Sequence, residues 1–177
     1  MAPICVTSSV KVGKFFNLDR RANLLAKDDT YWMKHCLKLA QTAADMGEVP
    51  VGAVIVKDSK IVAEAHNLRE TLLDPTRHAE LIAIQKASQK LKNWRLIDCD
   101  LYITLEPCVM CAGAIVNSRV RRVIFGASDP KAGGAHSLYH ILEDPRLNHQ
   151  PEVVSGVLGP ECGDILSRFF AGLRLQK

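Results

Sequence analysis

The stretch LYITLEPCVMCAGAIVNSRVRRVIF, residues 101–125, indicates the fold. Two β-rich segments, at 101–105 and 120–125, bound it, and Pro107 between them can open a helix because the first helical N–H has no partner to lose. Two strands joined through a helix lie parallel in one sheet with a right-handed crossover. We therefore expect a β-α-β unit at the centre of the domain.

The rest of the chain supplies further elements on both sides of this unit. The other predicted strands are at residues 51–56, 61–65 and 153–158. The other predicted helices begin at Asp29, with Asp29 or Thr30 as cap, and at residues 77–91, 137–142 and 161–175. Together they predict a single three-layer α/β domain, a mixed five-stranded sheet with helices on both faces, over residues 29–177. Residues 1–28 lack helical or strand periodicity and are expected to form a mobile N-terminal arm.

Two details of these elements are open to a structural test. Gly52, inside a predicted strand, favours a close approach by a ligand or another chain. In the helix at 77–91, the apolar spacing predicts one buried stripe. Its members are Leu81, Ile84, Ala87, Ser88 and Leu91.

Composition sets the class of protein. The chain has 177 residues, 47% of them hydrophobic, and no apolar run approaches the roughly 18 residues that a membrane span needs. Six cysteines do not form the dense pattern of a small secreted disulfide protein, so we expect reduced thiols and a cytoplasmic location. A net charge of +4 favours an anionic partner only weakly, because a solvated basic face has the same composition.

A metal site is predicted from two short runs, His78-Ala79-Glu80 and Pro107-Cys108-Val109-Met110-Cys111. Cys108 and Cys111 are three positions apart, so both thiols lie on one face of a helix start, where N–H groups favour thiolates. Such a pair alone could also be a redox dithiol or half of a structural zinc site. His78 adds a third ligand, and three protein ligands leave zinc the open position that is typical of a catalytic site.

These runs match the H-x-E and P-C-x-x-C signature of zinc nucleobase deaminases. From about residue 29 to residue 175 the chain resembles the tRNA-specific adenosine deaminases. The shared runs are EVPVGAV at 48–54, NWRL at 93–96, TLEPCVMCAGA at 104–114, FGA at 125–127 and LNH at 147–149. The resemblance implies a cytidine deaminase-like fold and one zinc ion per subunit, held by His78, Cys108 and Cys111.

The resemblance also implies an activity, the hydrolytic deamination of adenosine to inosine at the wobble position of a tRNA anticodon. In that reaction Glu80 would carry the proton from water to the ring nitrogen and then to the departing amine. Asn67 would contact the target nucleoside, or form only a local turn, and Asp129 would contact the neighbouring nucleotides, or only cap its loop. The family analogy further implies a homodimer. The local excess of basic residues offers candidates for phosphate contacts, each of which alone is more often a solvated surface charge: Arg119, Arg121, Arg122 and Lys131.

Two alternatives stay open at this point. One is a deaminase of the same superfamily that acts on free guanine, cytosine or a nucleoside, with unchanged zinc chemistry. The other is a zinc-stabilised RNA-binding module without catalysis, which would have no need of Glu80 and would usually have a fourth ligand.

Overall fold

The computed structural model describes residues 28–175. Of the arm predicted at residues 1–28, all but the last residue lies outside the described residues. That last residue, Asp28, caps the first helix: its carboxylate accepts a hydrogen bond of 2.7 Å from the backbone N–H of Tyr31. The cap is therefore Asp28, and the prediction of Asp29 or Thr30 was wrong by one or two positions.

The described residues form five α-helices and five strands. The helices are α1 (Asp29–Asp45), α2 (Arg69–Leu72), α3 (Ala79–Leu91), α4 (Val109–Ser118) and α5 (Gly159–Leu175). The strands are β1 (Gly52–Lys57), β2 (Lys60–His66), β3 (Asp100–Leu105), β4 (Arg122–Ala127) and β5 (Glu152–Val154). None of these helices is long and apolar enough to cross a membrane.

Two predicted elements differ from the observed ones. In place of a helix at 137–142 there is one 3-10 turn, Ile141–Glu143. The last strand is β5, only three residues long, because Gly156 and Leu158 have φ angles of 82° and 52° that an extended strand does not allow. The chain leaves the sheet there and enters α5.

The sheet has the order β2-β1-β3-β4-β5. Strand β1 runs antiparallel to both β2 and β3, whereas β3, β4 and β5 are parallel. Leu101 pairs with Val123 and Ile103 with Phe125, so the unit that contains α4 is the predicted β-α-β crossover. The mixed five-stranded sheet is confirmed.

Side chains alternate between the two faces of the sheet, and each face carries its own core. One core joins α3 and α4 to the sheet, for example through Ala83 and Ile115 against Ile103. The other joins α1 and α5 to the opposite face, for example through Met33 and Cys162. The three-layer α/β architecture with helices on both faces is confirmed.

Gly52 marks the point where α1 crosses the sheet. A Cβ atom at this position would collide with the backbone oxygen of Cys36 and would lie 2.8 Å from the backbone nitrogen of Ala40. The close neighbour is therefore a helix of the same chain, and the expectation of a ligand or another chain was wrong. Glycine at 52 is what lets α1 lie against β1.

The buried face of α3 is turned by one position from the predicted stripe. The fully buried residues are Ala79, Glu80, Ile82, Ala83 and Ala87. Of the predicted stripe only Ala87 is fully buried, and Leu91 is exposed. Three of these buried residues are alanines. The rotation of the buried face by one position also places Glu80 on it.

Candidate active site

His78 stands at the start of α3 as its N-cap, with extended dihedral angles (φ −75°, ψ 147°). The preceding turn is fixed by Asp74, whose carboxylate accepts hydrogen bonds from the Thr76 N–H and from the Arg77 guanidinium. Because His78 lies just outside the regular helix, its side chain and that of Glu80 can point to the same side although they are only two residues apart.

The two cysteines lie at the start of α4. Cys108 is the N-cap of this helix and is half-buried, and Cys111, in the first turn, is fully buried. Hydrogen bonds from Cys111 and His78 outweigh burial and lower the pKa of the Cys108 thiol to about 4. Cys108 therefore favours the thiolate, the form that binds a metal.

The three side chains meet at one point. His78 Nδ1 lies 3.7 Å from Cys108 Sγ and 3.5 Å from Cys111 Sγ, and all three atoms lie within 4.8 Å of one another. Nitrogen and sulfur atoms bound to one tetrahedral zinc ion, at about 2.1 Å and about 2.3 Å, stand about 3.6 Å apart. The donor set and its spacing thus fit zinc. Among residues 28–175 no other group of three such ligands occurs.

Glu80 lies beside this centre in the first turn of α3 and is 4% exposed. Its Oε2 atom has no hydrogen-bond partner within the described part of the chain. Burial raises the pKa of this carboxyl above its usual range. A buried carboxyl with one unpartnered oxygen and a raised pKa suits a group that takes up and releases a proton.

A pocket of about 680 Å³ is lined by two of the three ligands, His78 and Cys108, and by Glu80. The same pocket is also lined by Val49, Asn67, residues 127–132 and, from α5, Phe170 and Arg174. This volume is in the range of small-molecule sites and can take a nucleoside.

Asn67 and Asp129, the predicted substrate contacts, both line this pocket. Asn67 is 4% exposed; its amide donates to the backbone oxygen of Val49 and accepts from the N–H of Ala79, so it also ties β2 to the start of α3. Asp129 accepts hydrogen bonds from the N–H groups of Lys131 and Ala132. The structure places both residues at the site, and their contact with substrate stays a prediction.

Of the four basic residues expected to hold phosphates, only Lys131 lies at the pocket. Arg119 bonds Asn148, and Arg121 and Arg122 pair with Asp100. Asp100 begins β3, at the opposite end of the sheet from Cys108. These three arginines are therefore engaged within the chain and do not line the pocket, and a phosphate contact by them stays a prediction.

Sequence reasoning missed two cations and two buried acids near the pocket. Arg69 and Arg174 line it, one from α2 and one from the end of α5. Glu48 is 1% exposed and accepts hydrogen bonds from the N–H groups of Glu70 and Thr71. Glu106 is 2% exposed, and hydrogen bonds to it outweigh its burial and lower its pKa to about 2. For the two acids, the signal in the sequence was their position in the shared runs. Glu48 lies in EVPVGAV, and Glu106 lies in TLEPC.

A histidine and two cysteines at helix starts, with a buried glutamate beside them on a helix-covered mixed sheet, define the class of metal-dependent nucleobase deaminases. The MafB19-like deaminase family model matches residues 27–174. The chain belongs to the tRNA-specific adenosine deaminase family, as the following relatives show.

The tRNA-specific adenosine deaminase of Bacillus subtilis is 53% identical over 149 residues, which cover 84% of this chain and 92% of that protein. The tRNA-specific adenosine deaminase of Haemophilus influenzae is 46% identical over 157 residues, or 88% of this chain and 91% of that protein. A solved structure from work on A-to-I editing by tRNA:A34 deaminases at the wobble position superposes with a TM-score of 0.75. That structure is 42% identical and covers 77% of this chain and 99% of its own.

Proposed function

We propose that this protein deaminates adenosine to inosine at the wobble position of a tRNA anticodon, by hydrolysis and with one zinc ion per subunit. The observation that carries the proposal is the convergence of His78, Cys108 and Cys111 beside the buried Glu80, in a chain of this family. In the reaction a water oxygen bonds to the ring carbon that carries the amine, and the bond from that carbon to the amine breaks. The products are inosine and ammonia.

His78 Nδ1, Cys108 Sγ and Cys111 Sγ would hold the zinc ion. When bound there, zinc supplies Lewis-acid activation of the attacking water. Three protein ligands suit this role because they leave a coordination position open, and no fourth histidine or cysteine ligand joins them within residues 28–175.

Glu80 would carry the proton. In its ionised form the carboxylate accepts one proton from the attacking water and donates it to the ring nitrogen. It then accepts the second proton, from the hydroxyl newly bonded to the ring carbon, and donates it to the departing amine. Burial supports this role, because the raised pKa lets Glu80 hold the proton between the two transfers. A carboxylate tied up by hydrogen bonds could not serve in this way, and Oε2 of Glu80 has none from the described residues.

The nucleotide would be held by polar groups around the pocket. Asn67 keeps one amide N–H beyond its bond to Val49, and this N–H is available to the target nucleoside. Asp129 also lines the pocket, and the neighbouring nucleotides would pass beside it. A wobble base lies in a single-stranded loop, so it can enter such a pocket with little loss of stacking.

Three cations at the pocket would bind the RNA backbone: Arg69, Lys131 and Arg174. None of them pairs with an acid among the described residues, in contrast to Arg121 and Arg122. Unpaired cations that surround a site attract phosphates and release their counterions on binding.

The assembly and location form the remaining part of the proposal. We propose a homodimer, supported by apolar side chains that stay exposed beside the site, Leu72 and Leu73 at the end of α2 and Val109 and Met110 in α4. We propose a cytoplasmic location, supported by the free thiols of all five described cysteines. Catalysis is assigned to residues 29–177, in line with the family match to residues 27–174.

The test incubates the zinc-loaded protein with an anticodon stem-loop that bears a wobble adenosine, in parallel with free adenosine, guanine and cytosine. Nucleosides are then identified by mass spectrometry. We expect inosine in the RNA and no turnover of the free compounds. Turnover of a free base without inosine in RNA would support a free-base deaminase instead. Binding of the stem-loop with no turnover at all would support a non-catalytic RNA-binding module.

A further inference from the structure

Glu106 holds an unusually large set of hydrogen bonds for one side chain. It lies between the end of β3 and Cys108 and is almost fully buried. Oε1 accepts from the backbone N–H groups of Ala135 (3.2 Å), His136 (2.7 Å) and Ser137 (2.8 Å). Oε2 accepts from the backbone N–H of Asp129 (2.9 Å) and from the hydroxyl of Ser137. The carboxylate thus bonds both ends of the loop at 128–137.

The first half of this loop is a wall of the pocket. Asp129 and Lys131 both line the pocket, together with residues 128, 130 and 132. The middle of the loop contacts the segment that carries the metal ligand Cys108. The Gly134 N–H donates to the Pro107 oxygen, and Gly133 forms an isolated antiparallel β-bridge with Cys108. A Cβ atom at Gly133 would collide with the Glu106 carboxylate, so the loop is packed directly onto this group.

We infer that Glu106 is a positioning residue that fixes the wall at 128–132 against the metal ligands and so sets how tightly the nucleotides beside the target base are bound. The inference rests on the function proposed above. Glu106 touches no reacting atom in this account, because its carboxylate is fully engaged with the loop. Its effect therefore appears in substrate affinity, with the chemical step unchanged.

Glu106→Gln is the informative variant because it removes one side of the hydrogen-bond set. A glutamine oxygen can replace Oε1 and keep the N–H groups of residues 135–137. Its NH₂ group then faces the N–H of Asp129, which loses its acceptor, while the Ser137 hydroxyl can turn to accept. The half of the loop that lines the pocket is released, and the half that bonds Oε1 stays in place.

The experiment compares wild type and Glu106→Gln, both zinc-loaded, on the wobble-adenosine stem-loop. We expect KM to rise about tenfold or more. The Asp129 N–H loses its hydrogen bond to the charged Glu106, so the wall at 128–132 is no longer fixed in its position for binding. We expect kcat to stay within about threefold and zinc content to be equal, because the interaction is not specific to the transition state. Unchanged KM would overturn the inference.

A second readout needs no activity. Trypsin cleaves after Lys131, in the released half of the loop, and the peptides are measured by mass spectrometry. Cleavage at Lys131 should be faster in Glu106→Gln by about tenfold, because local opening becomes easier. If wild type makes no inosine, the proposed function fails while this readout still tests the hold of Glu106 on the loop. Equal cleavage in both proteins would contradict the inference.

Asp100→Asn is the matched control. Asp100 is also a buried acid, but it lies at the other end of β3 from Glu106, as the first residue of the strand. It pairs with Arg121 and Arg122, away from the pocket. A variant there should lower stability and leave KM and Lys131 cleavage unchanged. The same KM rise in this control would mean that general destabilisation, not the loop, is responsible.

Ser137→Ala covers the case in which Glu106→Gln does not fold. It removes only the hydroxyl donor to Oε2 and leaves the carboxylate in place. We expect a smaller change in the same direction, about two- to fivefold in KM and in Lys131 cleavage. No change in either quantity would overturn the inference.

Discussion

His78 Nδ1 lies 3.5 Å from Cys111 Sγ, although the two residues are 33 positions apart in the chain. Each belongs to the start of a different helix on the same face of the sheet, α3 for His78 and α4 for Cys111. The contact therefore depends on the strand order of the sheet that carries both helices. A metal bound at this point would link the two helices and stabilise the fold.

The first prediction concerns the metal. His78→Ala should lose the zinc ion, because two thiolates alone do not form the centre, and should also lower the melting temperature through the lost binding energy. His35→Ala is the control, since His35 pairs with Glu64 at the surface of α1 and should keep one zinc ion per subunit. Zinc is measured by elemental analysis after dialysis. Full zinc content in His78→Ala would refute the ligand assignment.

The second prediction concerns the RNA backbone. Arg174→Gln should weaken stem-loop binding about tenfold and lower the slope of log affinity against log salt by about one, because one phosphate contact is lost. Arg168→Gln serves as control: it lies on the same helix but lines a separate groove with Gln41 and Asp45. Titrations at several salt concentrations give both slopes. Equal slopes for the two variants would contradict a phosphate contact by Arg174.

The third prediction concerns the packing of α1 on β1. Gly52→Ala should lower the free energy of unfolding by about 3 kcal/mol, because the added Cβ collides with helix backbone that cannot turn aside. Gly172→Ala, in α5, meets no atom within 4 Å and should raise it by about 0.5–1 kcal/mol through helix propensity. Urea denaturation of the zinc-loaded proteins measures both. Equal stability of Gly52→Ala and wild type would refute the close approach.

The fourth prediction concerns acid stability. Burial opposes the ionisation of Glu48, but the N–H groups of Thr71 and Glu70 outweigh it and hold the pKa of this carboxyl below its usual range. A lowered pKa in the folded state stabilises above the unfolded pKa of about 4.3, and this contribution is lost as the pH falls through the folded pKa.

Glu48→Gln should therefore be less stable than wild type by about 1–3 kcal/mol at pH 7, since one N–H loses its acceptor. The difference should shrink as the pH is lowered below about 4.3, because only wild type loses a carboxylate there. Effects of acid on the metal site are common to both proteins and cancel in the difference. A difference that grows towards low pH would have the wrong sign for this account.

The architecture was predictable where local patterns and global fold agree. The predicted strands at 51–56 and 61–65, the β-α-β unit and the last helix were each confirmed within a few residues. The buried stripe of α3 was not predicted correctly. Its large apolar residues Leu81 and Ile84 are only partly buried, and the buried face consists of three alanines with Ile82 and Glu80. Hydrophobicity alone does not reveal which face must be small.

The site was predictable to the extent that motif spacing carries chemistry. His78, Cys108 and Cys111 do converge, with Glu80 beside them. Glu106 and Glu48 were not predicted because a buried acid is recognised by the N–H groups around it, and those belong to segments more than 20 positions further along the chain. The partners of the arginines are likewise visible only in the folded molecule: Asn148 for Arg119, and Asp100 for Arg121 and Arg122.

The most direct test of the account is the rate at which oxygen from heavy-oxygen-labelled water enters the wobble nucleoside of a stem-loop, for wild type and for Glu80→Gln with equal zinc. We predict labelled inosine from wild type and a rate at least about 10²-fold lower for Glu80→Gln, which keeps the metal but cannot carry the proton. Unlabelled inosine from wild type, or a full rate from zinc-loaded Glu80→Gln, would contradict the account.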